Sequence, residues 1–173
     1  MGTSPDIEIR VLNEKDAADL WAIRLEALQK EPDAFGDSAG EHQAISIDSF
    51  ASRMHAASGN LRLGAFLNEQ LVGMLRFRRT GRTKTRHRAS IHGVYVKEPY
   101  RRRGVARALL TEALRIARAQ SGVEQIELAV GSEQTAAKRL YESFGFKYYG
   151  RERRALKIGE HYVDQDLMVL RLR

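Results

Sequence analysis

The segment from Ser90 to Val130 constrains the fold most, because it reads as a strand, a glycine-punctuated basic turn, an amphipathic helix and a second strand. That order and length suit a right-handed crossover between parallel strands. Strand alternation puts Ser90, His92, Val94 and Val96 on one face and Ile91, Gly93 and Tyr95 on the other. Beyond Arg101-Arg102-Arg103-Gly104-Val105-Ala106, an apolar stripe of Ala106, Leu109, Leu110, Ala113, Leu114 and Ala117 opposes Arg107, Thr111, Arg115 and Arg118. Gly122 ends this helix and Gln125 to Val130 is the next strand. The turn at Gly104 is thus expected at the carboxyl end of a central strand, where open sheets bind ligands.

Around the crossover the pattern is one of hairpins. Ile7, Ile9 and Val11 alternate with polar residues, and Asn13 with Asp16 can start a helix carrying Ala17, Leu20, Trp21, Arg24 and Leu28 at helical spacing. Glu31-Pro32-Asp33-Ala34-Phe35-Gly36-Asp37 breaks that helix, and a weaker helical pattern with Ile47, Phe50 and Met54 ends near Gly59-Asn60. Leu61, Leu63 and Ala65 lead to a turn at Asn68-Glu69-Gln70, from which Leu71 to Phe77 returns. A last helix from about Gln134 to Phe144 presents Ala137, Leu140, Tyr141 and Phe144 on one side and is capped by Gly145. Two strands follow: Phe146 to Gly150, lengthened by a basic stretch, and His161 to Leu172. The expectation is a mixed α/β sheet with helices on both faces, in one domain over residues 1–173.

The junction at Gly104 also carries chemical information. A strand that opens through a glycine turn into a helix aims unpaired amides and the positive end of the helix dipole at the turn, so its natural occupant is an anion such as a pyrophosphate. Gly104 lets backbone approach a phosphate closely, small Ala106 leaves the first helical turn unobstructed, and Arg101, Arg102, Arg103 and Arg107 add positive charge. The segment matches neither a Walker loop nor the G-x-G-x-x-G fingerprint, which leaves nucleotide hydrolysis and nicotinamide chemistry without support.

Composition narrows the field further. The chain has no cysteine, which removes disulfide frameworks, cysteine-type zinc sites and thiol catalysis. No apolar run approaches the ~20 residues of a membrane span, and Met1 to Arg10 lacks signal-peptide order, so a soluble cytoplasmic protein is expected. A net charge of +7 attracts polyanions: nucleic acid, an anionic surface or a phosphate-rich cofactor. Part of that charge, Arg76, Arg78, Arg79, Arg82, Lys84, Arg86 and Arg88, falls in one acid-free segment that reads as a solvated hairpin or loop. His42, His55, His87 and His161 show no metal-site spacing, there is no H-E-x-x-H, and no metal is expected.

At motif level the chain resembles the GCN5-related N-acetyltransferase (GNAT) family. That family's cofactor motif, Gln or Arg, two residues, Gly, one residue, Gly or Ala, is matched by Arg101, Gly104 and Ala106 after Val94-Tyr95-Val96. Its second motif, Ala, two residues, Leu-Tyr, three residues, Gly-Phe, is matched by Ala137, Leu140, Tyr141, Gly145 and Phe146. The resemblance implies an acyl-CoA N-acyltransferase fold: a mostly antiparallel sheet with one splayed parallel pair. It also implies acetyl-CoA as acyl donor, its pyrophosphate on the amides of Arg102, Arg103, Gly104, Val105, Ala106 and Arg107. The pantetheine arm would pair with backbone of Val94 and Val96 and lie beside the helix carrying Tyr141. Many members have Asn three residues before the matched alanine, where this chain has Gln134.

Acyl transfer to an amine needs a deprotonated nucleophile, a polarised thioester carbonyl and a proton for the departing thiolate. Direct attack requires no serine or cysteine nucleophile, in keeping with the missing cysteine and the missing G-x-S-x-G elbow. By the family's pattern Tyr141 is the candidate acid. His92 is the candidate base, since its ordinary pKa is close to working pH, with Glu127 on the adjacent strand as the other. Glu31, Asp33, Asp37 and Glu41 border the expected acceptor side and could receive a cationic amine, while Trp21 and Phe35 close the core and shape the acceptor wall. The expected acceptor is an amine on a small molecule or a peptide. Two other classes stand beside this one: an inactive acyl-CoA sensor, and a nucleic-acid binder using Arg76 to Arg88, although that run specifies neither groove nor base. Sheet edges and exposed hairpins offer surfaces for a homodimer.

Overall fold

The alternating segments become seven strands in one sheet, in the order β1-β2-β3-β4-β5-β7-β6. The computed structural model describes residues 7–54 and 59–172. Its strands are β1 (Glu8–Val11), β2 (Asn60–Leu67), β3 (Gln70–Arg79), β4 (Arg88–Val96), β5 (Gln125–Gly131), β6 (Lys147–Ile158) and β7 (His161–Arg171). Every neighbouring pair is antiparallel except β4 and β5. The helices are α1 (Ala17–Lys30), α2 (Ala39–Gln43), α3 (Ile47–Ser52), α4 (Val105–Ala119) and α5 (Thr135–Ser143). Two apolar cores result: α4 and α5 pack on one face through Leu109, Leu110, Ala113, Leu114 and Tyr141, and α1 to α3 on the other through Leu20, Ile23, Ala27 and Phe50. This is the mixed sheet with helices on both faces that the sequence predicts. No helix among the described residues is long and apolar enough to cross a membrane.

Local chemistry sets the helix ends. Asn13 caps the 3-10 turn Glu14–Asp16 that leads into α1, and Asp16 accepts from the Asn13 amide at 2.9 Å and from both terminal nitrogens of Arg10 at 2.9 and 2.7 Å. α1 stops at Lys30, just before Glu31, a residue held out of helical conformation by the following Pro32. The weaker helical pattern before Gly59 resolves into two short helices, because Ser38 and Ser46 each start a new one by accepting amide hydrogens from Glu41 and Ser49. Ile47 is exposed, while Phe50 and Met54 are buried.

Two expectations about strands need correction. Arg76, Arg78 and Arg79 belong to β3 and Arg88 to β4, so only Arg82, Lys84 and Arg86 lie in the connecting turn. The alternating faces of β4 also break at a bulge: Met74 is opposite Tyr95 but Arg76 is opposite His92, leaving Gly93 and Val94 together across from Leu75. Gly93 takes φ +59°, the left-handed conformation that glycine adopts without penalty. Consequently Ala89 and Ile91 share the α4 face with Val94 and Val96, while His92 lies on the face of Tyr95.

β4 and β5 pair only at Arg88↔Gln125, Ala89↔Ile126 and Ser90↔Glu127. Past Ser90 the two strands diverge, β4 remaining bonded to β3 and β5 to β7. The edges that face each other across this opening keep free peptide groups.

Candidate active site

The basic turn leaves a run of backbone amides without acceptors among the described residues. Arg102 and Gly104 both take left-handed backbone, φ +60° and +83°, and Gly104 caps α4 without help from any side chain. Among the described residues the amides of Arg102, Arg103, Gly104, Val105, Ala106 and Arg107 donate to no protein acceptor, whereas the amide of Ala108 reaches the Gly104 carbonyl at 2.9 Å. The N-terminus of a helix of 15 residues stands behind them. A ring of free, convergent amides of this kind fits a diphosphate, so the residues present suit the CoA carrier that the resemblance implies.

The arginines of the turn divide into separate tasks. Arg101 donates through Nε to the Val96 carbonyl at 2.9 Å and through its guanidinium to Glu31, and lies over the Tyr95 ring, so it clamps the turn to the end of β4. Arg103 lies over Tyr100 at 5.7 Å, and Arg107 donates to Ser143 at 3.2 Å while covering Phe144. Arg102 is exposed at the rim. Val105, the first residue of α4, is buried, and Ala106 is half-buried.

A cleft of about 550 Å³ opens between the diverging strands, lined by Ile91, His92, Gly93, Val94, Ala129, Gln134, Ala137 and Tyr141 among others. Tyr95 turns the other way: its ring is in the α1-side core and its hydroxyl donates to Glu26 at 2.8 Å, so only its backbone is near the opening. Gln134 precedes α5 and folds over Gly131, where a β-carbon would come within 3.2 Å of its own side chain. Tyr141 is 8% exposed, packs edge-on against Phe146, and has no hydrogen-bond partner for its hydroxyl among the described residues. Burial pushes its pKa up to about 12, so the hydroxyl stays protonated at neutral pH.

His92 is on the opposite wall of the same cleft, its Nε2 at 2.8 Å from Ser90 Oγ. Its pKa is lowered, first by desolvation within the concave wall and then by Arg76 and Arg78, which favours the neutral imidazole. Glu127 shares this sheet face but is outside the lining of both clefts. Its carboxylate accepts from Arg88 Nε at 2.9 Å, from a second Arg88 nitrogen and from Gln125 at 2.6 Å. The structure therefore brings Tyr141 and His92 to one opening and leaves Glu127 in an ion pair below it.

A second cleft, of about 870 Å³, adjoins the first and shares with it Ala34, Ile91, His92, Gly93 and Ala129. Phe35 lines this cleft and Trp21 packs beside it in the α1-side core. The acidic residues expected to meet a cationic amine each have a protein partner: Asp37 with Arg24, Glu31 with Arg101, Glu41 in the Ser38 capping box, and Asp33 at 3.7 Å from His161. Asp164 accepts from the Arg154 amide at 2.7 Å, and Asp166 bridges Lys138 and Arg151. What the sequence reading missed is the cationic floor of the second cleft, where Arg62, Arg76 and Arg78 project from β2 and β3. The available signal was local spacing: Arg76 and Arg78 alternate with the apolar Leu75 and Phe77.

The basic run consequently forms no single outer surface, since Arg76 and Arg78 face the cleft and Arg79 donates to the carbonyls of Arg86 and Ser121. Among the described residues no group of three or more His, Asp and Glu is placed to hold a metal ion. His42 is buried against Trp21, and His55 lies outside the described residues.

Comparison with known proteins agrees with this geometry. The model of the acetyltransferase (GNAT) family matches residues 21–146. The N-alpha-acetyltransferase RimI of Mycobacterium tuberculosis is 36% identical over 107 residues, a match spanning 62% of this chain and 65% of the Mycobacterium protein. The L-amino acid N-acetyltransferase AaaT of Escherichia coli is 32% identical over 113 residues, or 65% of this chain and 68% of that one. A solved GNAT-family acetyltransferase from Streptococcus pneumoniae superposes with TM-score 0.85 at 26% identity, covering 97% of this chain and all of that one, 100%.

Proposed function

The chain belongs to the GNAT acetyltransferase family, and from that premise we propose that it transfers the acetyl group of acetyl-CoA to a primary amine by direct attack, releasing CoA. The observation that carries this reading is the run of free amides at Arg102 to Arg107, which follows the strand whose divergence from β5 opens a cleft lined by a protonated tyrosine and a neutral histidine. Acetyl-CoA would supply the activated acyl group as a thioester. The amides of the turn bind its diphosphate, and the free edges of β4 at Val94 and of β5 orient the pantetheine arm. Gln134 and Ala137 bound the arm on the α5 side.

His92 takes the proton of the ammonium form of the acceptor, directly or through one water, a role suited to an imidazole kept neutral by its surroundings. Tyr141 donates a hydrogen bond to the departing sulfur, and a hydroxyl with pKa about 12 holds its proton until negative charge develops nearby. Glu127 acts through Arg88 and Gln125 as a structural tie at the base of the opening. The two curated relatives are named for acetylating, respectively, protein alpha-amines and L-amino acids, which supports an amine acceptor.

The test combines calorimetric titration with acetyl-CoA and a thiol-release assay across amines. Saturable uptake with turnover of at least one amine is the expected result. Uptake without turnover on any amine would make the chain a sensor, and absence of uptake would end the assignment.

A further inference from the structure

The second cleft carries more positive charge than acetyl transfer needs. Its lining includes Arg24, Arg53, Arg62, Arg76 and Arg78 against Asp37 and Glu41. Asp37 is spent on Arg24, and Glu41 caps α2 through Ser38. Among the described residues no carboxylate pairs with Arg53, Arg62, Arg76 or Arg78.

Register aligns this charge with the reaction centre. Arg62 is directly opposite Arg76 across β2 and β3, and Arg76 is directly opposite His92 across β3 and β4. The three side chains make one row on one sheet face, each separated from the next by about one strand spacing, ~4.8 Å. The next row repeats the arrangement with Asn60, Arg78 and Ser90. Like charges directly opposite each other on neighbouring strands destabilise a sheet. Both arginines are also half-buried, and their pKa values are lowered mainly by desolvation and next by neighbouring arginines, with Asp37 opposing the shift at Arg76. Asn60 accepts from Arg76 Nε at 3.1 Å, which fixes the plane of the guanidinium and leaves its terminal nitrogens uncommitted; Arg62 donates to the Arg53 carbonyl at 3.3 Å. A pre-oriented fork of this kind matches a planar oxyanion.

We propose that the acceptor is a small amine that carries its own oxyanion, a carboxylate or phosphonate, held by Arg62 and Arg76 while the amine nitrogen is presented at His92. This rests on the acetyl-transfer reading for what happens to the amine, but not for the binding itself. The anion neutralises the opposed arginines, and the one-strand offset between Arg76 and His92 sets how far amine and anion stand apart. An amine without the anion leaves the opposed arginines with the field of Asp37 alone and binds more weakly.

Matched probes test this: leucine, leucinamide, 3-methylbutylamine and the phosphonate analogue of leucine, with parallel methionine and glutamate sets and a peptide amidated at its C-terminus. Thiol release gives kcat and KM, and calorimetry on protein saturated with CoA gives binding without turnover. The oxyanion-bearing amines are expected to exceed their amides by about tenfold or more in kcat/KM, mostly through KM. Arg76→Gln and Arg62→Gln should each erase about tenfold of that preference in kcat/KM, and Arg76→Lys should keep part of it. Unaltered CoA affinity in each variant reports an intact fold. Equal use of leucinamide, 3-methylbutylamine or the amidated peptide, or a preference that survives both Arg→Gln changes, would overturn the proposal. Should no amine release thiol, the acetyl-transfer reading falls and calorimetry decides alone: Arg76-dependent binding of an oxyanion-bearing amine upholds the site, and its absence removes it.

Discussion

Tyr141 and His92 face one opening with opposite electrostatic preparation. Burial holds the phenol protonated, and desolvation with Arg76 and Arg78 holds the imidazole neutral. Tyr141→Phe removes the donor while keeping the ring that packs on Phe146, so kcat should fall about 10²-fold with the acetyl-CoA dissociation constant within about twofold. Stopped thiol-release and calorimetry separate the two effects; a turnover equal to the parent's would dismiss the acid role. For His92 the sign follows from its lowered pKa: a base must be unprotonated, so activity should fall on the acid side at a pH below the unperturbed 6.5. His92→Ala should flatten that limb and lower kcat by about 10²-fold. An unmoved limb would assign the titration to another group.

At the scale of elements, the turn before α4 and the bulge in β4 do most to place these side chains. Gly104 has open space where a β-carbon would sit, so substitution there acts through backbone conformation at φ +83° and not through collision. Gly104→Ala should cost about 1–2 kcal/mol if the turn is retained, or splay the amides if it relaxes. Either way acetyl-CoA affinity should weaken, by about tenfold, with the melting temperature lower by only a few degrees. Calorimetry beside thermal unfolding checks this, and undiminished affinity would remove the amides from the site. The bulge at Gly93 acts differently, by moving His92 onto the face of Tyr95 and the second cleft while Val94 stays in the lining of the first.

Across the whole molecule, α2 and α3 form a wall of the second cleft through Glu41, His42 and Phe50, and His42 joins that wall to α1. Its ring is stacked 5.0 Å from Trp21, meets Phe50 edge-on, and places Nε2 at 2.9 Å from the Trp21 carbonyl. The His42 pKa is lowered, chiefly by desolvation, so the folded chain takes up the proton less readily than the unfolded chain. Its contribution to stability is therefore complete above the unfolded value of 6.5 and is lost as pH falls through the lower folded one. The sole tryptophan, Trp21, should report this: its fluorescence and the melting temperature should both shift on acidification through that window, and His42→Phe should abolish the shift. A pH-independent signal in the parent protein would show that His42 does not tie the wall.

Much of this was legible without coordinates. Helical and alternating periodicity marked the crossover, the hairpins and the turn before α4, because backbone geometry fixes those periods locally. Gly104, Gly145 and the Asn13 cap announced where helices begin or end for the same reason. Strand pairing carries no such local signature. It took the tertiary register to set Arg62, Arg76 and His92 in one row, to bind Glu127 to Arg88, and to shift the faces of β4 by one residue at Gly93. A residue's own sequence states which way it alternates, but which charges become its neighbours depends on segments distant along the chain, and that is settled only when the sheet closes.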